Sequence, residues 1–281
     1  MPELPEVETI KNQLIPCITD KKVLSSKIYF PKLRYPISVP PNNTIIKSLV
    51  RRSKYIICQC LEENQSIYYW ILHLGMTGYF QFLPNKKNNM ELPKHAHVDL
   101  FFDDGILRYI DPRRFGAMLY TKEKNHNLLE NLGIEPLDIN YIDLAMYLYN
   151  KSKNKKQNIK LFLTNNNIIV GIGNIYACEV LFETNISPLT NCNTISLEKY
   201  TQLSKNIQHI LNNAIKLGGS TIDNFTHVHT LDELEKKENG SFQIQHKVYA
   251  KENKKCVNCD TLIKRIIQGQ RSTFYCQSCQ I

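Results

Sequence analysis

The chain has 281 residues, enough for one large domain or two ordinary ones. Its 42% hydrophobic and 22% charged residues exclude wholesale disorder, and 35 Lys+Arg against 26 Asp+Glu leave a net charge of +9. That excess suits a polyanionic partner without naming one, because solvated surface lysine gives the same balance. The opening MPELPEVETI is acidic and proline-broken, unlike a secretory leader, and the uncharged stretch 161–178 is interrupted by Asn165, Asn166, Asn167, Gly171, Gly173 and Asn174. A soluble, cytoplasmic protein with no membrane partner is expected.

In chain order, Pro2 and Pro5 lead into a helix expected at about 7–14. Strand signals follow at 54–61, 67–74, 78–83 and 97–102, separated by Asn, Pro and Gly, which suggests a sandwich or flattened barrel. After residue 120 the character turns helical. Helices are expected at 128–132 and 142–149, after the lysine-rich stretch 151–160, and at 174–182, 197–217 and 220–225, with Gly218-Gly219 as a stop. The polar segment 226–240 reads as a loop, and 243–281 as a small ribbon. No internal repeat is present. The outline is a β domain, then a helical domain with a cysteine-bearing appendage.

Nine cysteines divide into two groups. Cys17, Cys58, Cys60, Cys178 and Cys192 are scattered and read as small apolar residues. Cys256-x2-Cys259-x16-Cys276-x2-Cys279 offers two thiolates from each of two tight turns, which completes a tetrahedral site around a hairpin turning at Gln268-Gly269. Zinc suits four sulfurs in a closed structural site; two disulfides, free thiols or iron are the alternatives. Arg271, on that hairpin, is either a phosphate clamp or a solvated arginine.

Asp111-Pro112-Arg113-Arg114-Phe115-Gly116 sets guanidiniums beside a ring, fit to enter a duplex by stacking and hydrogen bonding. It equally describes a partly buried Phe with two surface arginines. Gly171 and Gly173 stand before a helix whose N-terminus suits a phosphate, although the spacing is not the dinucleotide-binding pattern. Initiator methionine is normally removed before a small residue, which leaves Pro2 as a secondary amine. With an α-amino pKa of about 8, part of it is neutral and nucleophilic near pH 7, beside Glu3 and Glu6. A solvated acidic first turn is the plainer reading.

Taken together these residues resemble the formamidopyrimidine-DNA glycosylase (Fpg or MutM) family. The match runs through MPELPEVET, Arg51-Arg52-Ser53-Lys54-Tyr55, His73-Leu74-Gly75-Met76-Thr77-Gly78, Lys94-His95-Ala96-His97-Val98-Asp99-Leu100, DPRRFG, VGIGNIYA, Gly218-Gly219-Ser220-Thr221 and the terminal cysteines, in family order over nearly the whole chain. The resemblance implies an α+β, multidomain fold: an N-terminal β-sandwich with an N-terminal helix, then a helix–two-turn–helix domain with a zinc-ribbon β-hairpin. DNA would occupy the cleft between them. The implied domains are 1–125 (catalytic sandwich), 126–150 (linker and connecting helices), 151–240 (helix–two-turn–helix with a lesion loop) and 241–281 (zinc ribbon).

The resemblance further implies base-excision repair of damaged double-stranded DNA. Oxidised purines, chiefly 8-oxoguanine and formamidopyrimidines, would be excised and the strand then cut by β,δ-elimination. Pro2 would attack the sugar C1′ and form an imine, Glu3 would act as acid on the ring oxygen, and Glu6 would orient Pro2. Lys54 would bind phosphate and assist elimination, with Arg271 serving the later elimination or clamping flanking phosphates. Met76, Arg113 and Phe115 match the void-filling trio, Arg113 facing the unpaired cytosine, while His95, Lys155 and Asn174 match DNA-contacting positions. One structural Zn2+ on Cys256, Cys259, Cys276 and Cys279, a monomeric state and, in a bacterium, association with the nucleoid complete the family expectation. His73 and His97 read equally well as structural histidines.

Two departures stand out. The long 226–240 segment, with His227, His229 and several acids, replaces a short family loop that bears on lesion preference. Glu252-Asn253-Lys254-Lys255 lacks the usual Gly and Pro before Cys256, which should alter a turn but no ligand. The endonuclease VIII branch is the sister alternative, disfavoured by Leu4 and DPRRFG. A catalytically silent zinc-ribbon DNA-binding protein is the alternative of another class, and it leaves Pro2, Glu3 and Lys54 unexplained.

Overall fold

The first helix, α1 (Leu4–Ile18), begins earlier than its apolar spacing suggests. Glu3 is its N-cap, and Glu6, three residues on, accepts the Glu3 N–H at 2.8 Å, so two orphan donors of the first turn are met by a capping box. Pro5 costs nothing there, since its missing N–H would have no intrahelical acceptor. Val7, Ile10, Leu14 and Ile18 recur at helical spacing and are buried.

The computed structural model describes residues 2–84, 91–220 and 241–281. It divides into two units, Met1–Glu130 with Gly218–Ser241, and Asn131–Leu217 with Phe242–Ile281. In the first unit eight strands follow α1: β1 (Ser25–Ile28), β2 (Ile45–Arg52), β3 (Tyr55–Leu61), β4 (Ile67–His73), β5 (Tyr79–Pro84), β6 (Ala96–Phe101), β7 (Gly105–Ile110) and β8 (Ala117–Thr121). They form two antiparallel sheets, ordered β2-β3-β4-β8 and β1-β6-β7-β5. Alternate residues of both sheets, among them Ile56, Cys58 and Cys60 on β3 and Phe80 and Phe82 on β5, join α1 in one core. This is the expected β-sandwich.

Four strands escaped the sequence reading for physical reasons. β1 is an edge strand with three exposed positions and no apolar alternation. β2 carries a register shift between Ile46 and Ser48, which breaks its period. β7 is buried at all six positions, so it shows no alternation, and Arg108 interrupts its apolar run. That arginine lies opposite Asp99 and donates to it twice, at 2.8 and 2.7 Å, while the Tyr29 hydroxyl donates to the same carboxylate at 2.8 Å. Burial and the Asp99 contact push the Tyr29 pKa up to about 12. β8 is a five-residue edge. The helix expected at 128–132 shrinks to a single turn, α2 (Asn127–Glu130).

The second unit is helical: α3 (Tyr141–Ser152), α4 (Ile159–Leu163), α5 (Asn174–Glu183) and α6 (Leu197–Lys216). Asn140 caps α3 by accepting from the Ile142 and Asp143 N–H groups, and Ser196 caps α6 by accepting from Lys199. Between α4 and α5 the chain makes two successive turns, the helix–two-turn–helix arrangement. Leu148, Phe162, Tyr176, Leu203 and Ile207 are wholly buried among these helices. The terminal hairpin, β9 (Lys264–Gln268) and β10 (Arg271–Tyr275), turns at Gly269-Gln270, one residue later than expected, because Arg271 pairs with Gln268.

Helix α5 mounts that ribbon. Cys178 and Phe182 pack with Val248, Cys256, Ile263 and Cys276. Glu179, also on α5, accepts three consecutive N–H groups, from Lys247 (2.8 Å), Val248 (3.0 Å) and Tyr249 (2.7 Å). Burial raises its carboxyl pKa and those bonds pull the other way. Just before Cys256, Asn253 takes the left-handed conformation (φ 61°), which asparagine tolerates better than most side chains, and the four cysteine sulfurs still gather. The expected helix at 220–225 and the loop at 226–240 lie outside the described residues, apart from Ser220.

Candidate functional site

The start of α1 gathers Pro2, Glu3 and Glu6 in a buried setting; Glu3 is 2% and Glu6 1% exposed. Beside the Glu3 N–H on one oxygen of Glu6, the other takes the Ser220 N–H at 2.7 Å, across 214 residues of sequence. Gly219 makes this approach possible: it holds φ +81°, and a Cβ there would fall 2.9 Å from Glu6 Oε1. Glu6 is therefore a fixed carboxylate whose two oxygens tie the first turn of α1 to Ser220.

Lys54 occupies the two-residue turn between β2 and β3 and is 7% exposed. Its turn is fastened to α1. Arg51 donates through Nε to Glu8 (2.9 Å) and through a terminal nitrogen to the Ser53 carbonyl (3.1 Å), while Lys11 also pairs with Glu8. Ser53 holds φ 57° in the turn. Pro2, Glu3, Glu6 and Lys54 thus sit on one helix start and on a turn fastened to that helix.

A second gathering surrounds the buried Asp111. Its Oδ1 accepts from the Thr77 hydroxyl (2.6 Å) and the Arg113 N–H (3.2 Å), and its Oδ2 from the Gly116 N–H (2.9 Å). Its own N–H donates to the His95 carbonyl (3.1 Å), and its carbonyl accepts from His97 Nε2 (2.9 Å). The Met76 turn, His95 and the Arg113–Phe115 turn therefore meet at one residue. Gly75 lets two of them touch, since a Cβ there would lie 2.6 Å from the Gly116 nitrogen. The Arg113 guanidinium lies over the Phe115 ring at 4.7 Å, and Phe115 is 48% exposed, so both project from the sandwich. Below them, His73 Nδ1 accepts the Gly75 N–H (3.0 Å). Burial, with Lys54 and Arg34 nearby, lowers the His73 pKa to about 4.

In the second unit, Gly173 caps α5 and Asn174 opens it. The Asn174 amide donates to the Ser272 carbonyl (2.7 Å), which brings the helix start next to Arg271 on β10; the Arg271 side chain is exposed. Lys155 lies on another loop, after α3, where its carbonyl accepts the Cys192 thiol (3.2 Å) and its side chain is exposed. Lysines 151 and 153 lie over Tyr147 and Tyr149, a basic face backed by rings.

Cys256, Cys259, Cys276 and Cys279 bring their sulfurs within 4.8 Å of one another, with separations of 3.3, 3.5 and 3.8 Å among them. Four sulfurs at about 2.3 Å from zinc stand about 3.8 Å apart. None of the nine cysteines forms a disulfide, and Cys58, Cys60, Cys178 and Cys192 are buried apolar fillers as expected. Among the described residues this is the one metal-ligating cluster.

Sequence reasoning missed Asp111 as an anchor, and also Thr77, Glu8 and the Ser220 backbone. Asp111 and Glu8 lie within motifs already singled out, but only pairing across the fold reveals their work.

A capped first-turn carboxylate in a β-sandwich, a helix–two-turn–helix unit and a four-cysteine ribbon define a multidomain zinc-ribbon protein with exposed basic side chains on both units. Family models match along the chain: the formamidopyrimidine-DNA glycosylase N-terminal domain over residues 1–118, its H2TH domain over 132–226, and the zinc finger found in FPG and IleRS over 253–281. The formamidopyrimidine-DNA glycosylase of Vesicomyosocius okutanii is 41% identical, with the whole of both chains aligned. Two solved Lactococcus lactis Fpg complexes superpose over 99% of each chain, one with abasic-site DNA (29% identity, TM-score 0.85), one a mutant with Fapy-dG DNA (28%, 0.84). The chain belongs to the formamidopyrimidine-DNA glycosylase family. Its four terminal cysteines hold one structural zinc ion. Among the described residues no helix is long and apolar enough to cross a membrane.

Proposed function

We propose that this chain is a bifunctional DNA glycosylase and abasic-site lyase that removes oxidised purines, 8-oxoguanine and formamidopyrimidines, from duplex DNA. Family membership supports the class, and the Fapy-dG and abasic DNA bound by the Lactococcus lactis relative support the substrates. The observation that carries the reading is the buried Glu6 carboxylate, fixed by two N–H groups beside Pro2 and Glu3. A carboxylate locked in this way holds the first turn, and the amine on it, in one orientation.

With Met1 removed, the neutral Pro2 amine adds to C1′ of the flipped nucleotide. The C1′–N bond breaks and the base leaves with its electron pair and a proton. Glu3 protonates the ring oxygen, the sugar opens, and the nitrogen and C1′ share an imine. The imine acidifies the C2′ proton; its loss expels the 3′ phosphate, and a second elimination expels the 5′ phosphate. Hydrolysis of the imine returns the amine. Lys54 binds phosphate and assists elimination, and Arg271 clamps a flanking phosphate or serves the later step. Met76, Arg113 and Phe115 fill the vacated stack, Arg113 facing the unpaired cytosine; His95, Lys155 and Asn174 hold the backbone. In this reading residues 1–125 carry the chemistry, 126–150 connect, 151–240 bind DNA and 241–281 form the metal-anchored clamp.

Borohydride reduction during reaction with an 8-oxoguanine:cytosine duplex tests it. The expected result is a covalent adduct that maps to Pro2 and disappears when a residue is retained ahead of it, with DNA binding spared. Tight binding without an adduct would overturn the oxidised-purine reading in favour of another lesion class or of the silent binding protein.

A further inference from the structure

Thr77 lies one residue beyond Met76, half-buried on the turn between β4 and β5. Its hydroxyl donates to Asp111 Oδ1 (2.6 Å) and accepts the Arg113 N–H (3.2 Å). The same N–H also reaches Asp111 Oδ1 (3.2 Å), so the three residues close a ring of hydrogen bonds. Asp111 Oδ2 holds the other end of the second turn through the Gly116 N–H (2.9 Å). One carboxylate thus grips the backbone on both sides of Phe115, and one hydroxyl joins that carboxylate to the Met76 turn.

We propose that Thr77 is a positioning and specificity-determining residue that couples the Met76 turn to the Arg113–Phe115 turn, so that both enter the duplex as one rigid body. The proposal rests on the glycosylase reading and deepens it. Arg113 is long and exposed, and its guanidinium lies over the ring of its own turn, so its aim is set by its backbone. Discrimination by a guanidinium at a base edge depends on that aim being fixed. Without the Thr77 hydroxyl, Asp111 Oδ1 keeps only the longer Arg113 bond, and the two turns retain contact without a tie.

The test compares Thr77→Val, which keeps the β-branch and drops the hydroxyl, with Thr77→Ser, which restores it, and with Arg113→Ala. The readout is excision of 8-oxoguanine opposite cytosine relative to adenine. Imine trapping on a single-stranded abasic oligonucleotide, which has no opposite base, normalises for competent enzyme. The cytosine preference should fall about tenfold in Thr77→Val, the worth of a modest part of a bidentate base contact, and recover in Thr77→Ser. A preserved preference in Thr77→Val beside a lost one in Arg113→Ala overturns the coupling. An equal loss opposite both bases, repeated on the single strand, also overturns it, because that is general damage. Should Arg113→Ala itself keep the preference, the opposite-base reading fails and takes the proposal with it.

Discussion

His73 closes β4 against the Tyr55 ring, 4.8 Å between centroids, and uses Nδ1 to accept the Gly75 N–H. A ring accepting at one nitrogen in a buried site beside Lys54 and Arg34 resists a proton, hence its pKa of about 4 against an ordinary 6.5. Between those values the unfolded chain binds more protons than the folded one. The contribution of His73 to stability is therefore complete above about pH 6.5 and drains away as pH falls toward 4. At pH 5 the loss amounts to roughly 1–2 kcal/mol. Urea unfolding at pH 7.5 and 5.0 should show His73→Asn, which keeps an acceptor but gains no proton, losing less on acidification than the wild type. Equal losses would place the acid sensitivity elsewhere. The sequence marked His73 only as structural or functional; its neutrality follows from neighbours that the fold supplies.

At the scale of elements, legibility followed periodicity. The inward-facing run Ile56, Cys58, Cys60 on β3 and the amphipathic α6 announce themselves, while β7, buried on both faces and split by a paired arginine, does not. The work done between elements was not legible, and the link from α1 to the β2–β3 turn is the clearest case. Glu8 looked like one more acid of the first helix, yet it receives Arg51, whose second bond holds the Ser53 carbonyl next to Lys54. The Arg51 side chain is 7% exposed, so the pair is little screened by solvent. Lysine keeps the charge at position 51 but lacks the planar fork needed to hold Glu8 and Ser53 together. If Lys54 assists elimination as proposed, Arg51→Lys should lower kcat about tenfold on a lesion duplex, the size of effect expected when such a group shifts slightly, with KM little changed. Glu8→Gln, which keeps an acceptor, should lose less. Wild-type kcat in Arg51→Lys would show that Lys54 is held by its turn alone.

Across the whole molecule, the cysteine spacing was the most legible feature because a metal imposes geometry independent of the rest of the fold. The attachment of the ribbon was not legible: Glu179 reads as an ordinary helical acid, and Cys178 as a stray thiol, until one receives three N–H groups and the other joins the ribbon core. A segment this short buries too little apolar surface to fold alone, so zinc binding supplies folding energy. The sandwich core shares no residue with the cluster around Cys256 and Cys276. Metal loss should accordingly be local. Chelation at neutral pH, or Cys256→Ser, should release one zinc per chain and split thermal unfolding into two steps, the sandwich transition staying near its original temperature. Duplex affinity should fall with the metal, because the proposed phosphate clamp Arg271 and the bond that holds the proposed DNA contact Asn174 to Ser272 ride on the hairpin that zinc closes. If metal leaves and a single transition persists unshifted, then Glu179 and the α5 contacts hold the ribbon without zinc.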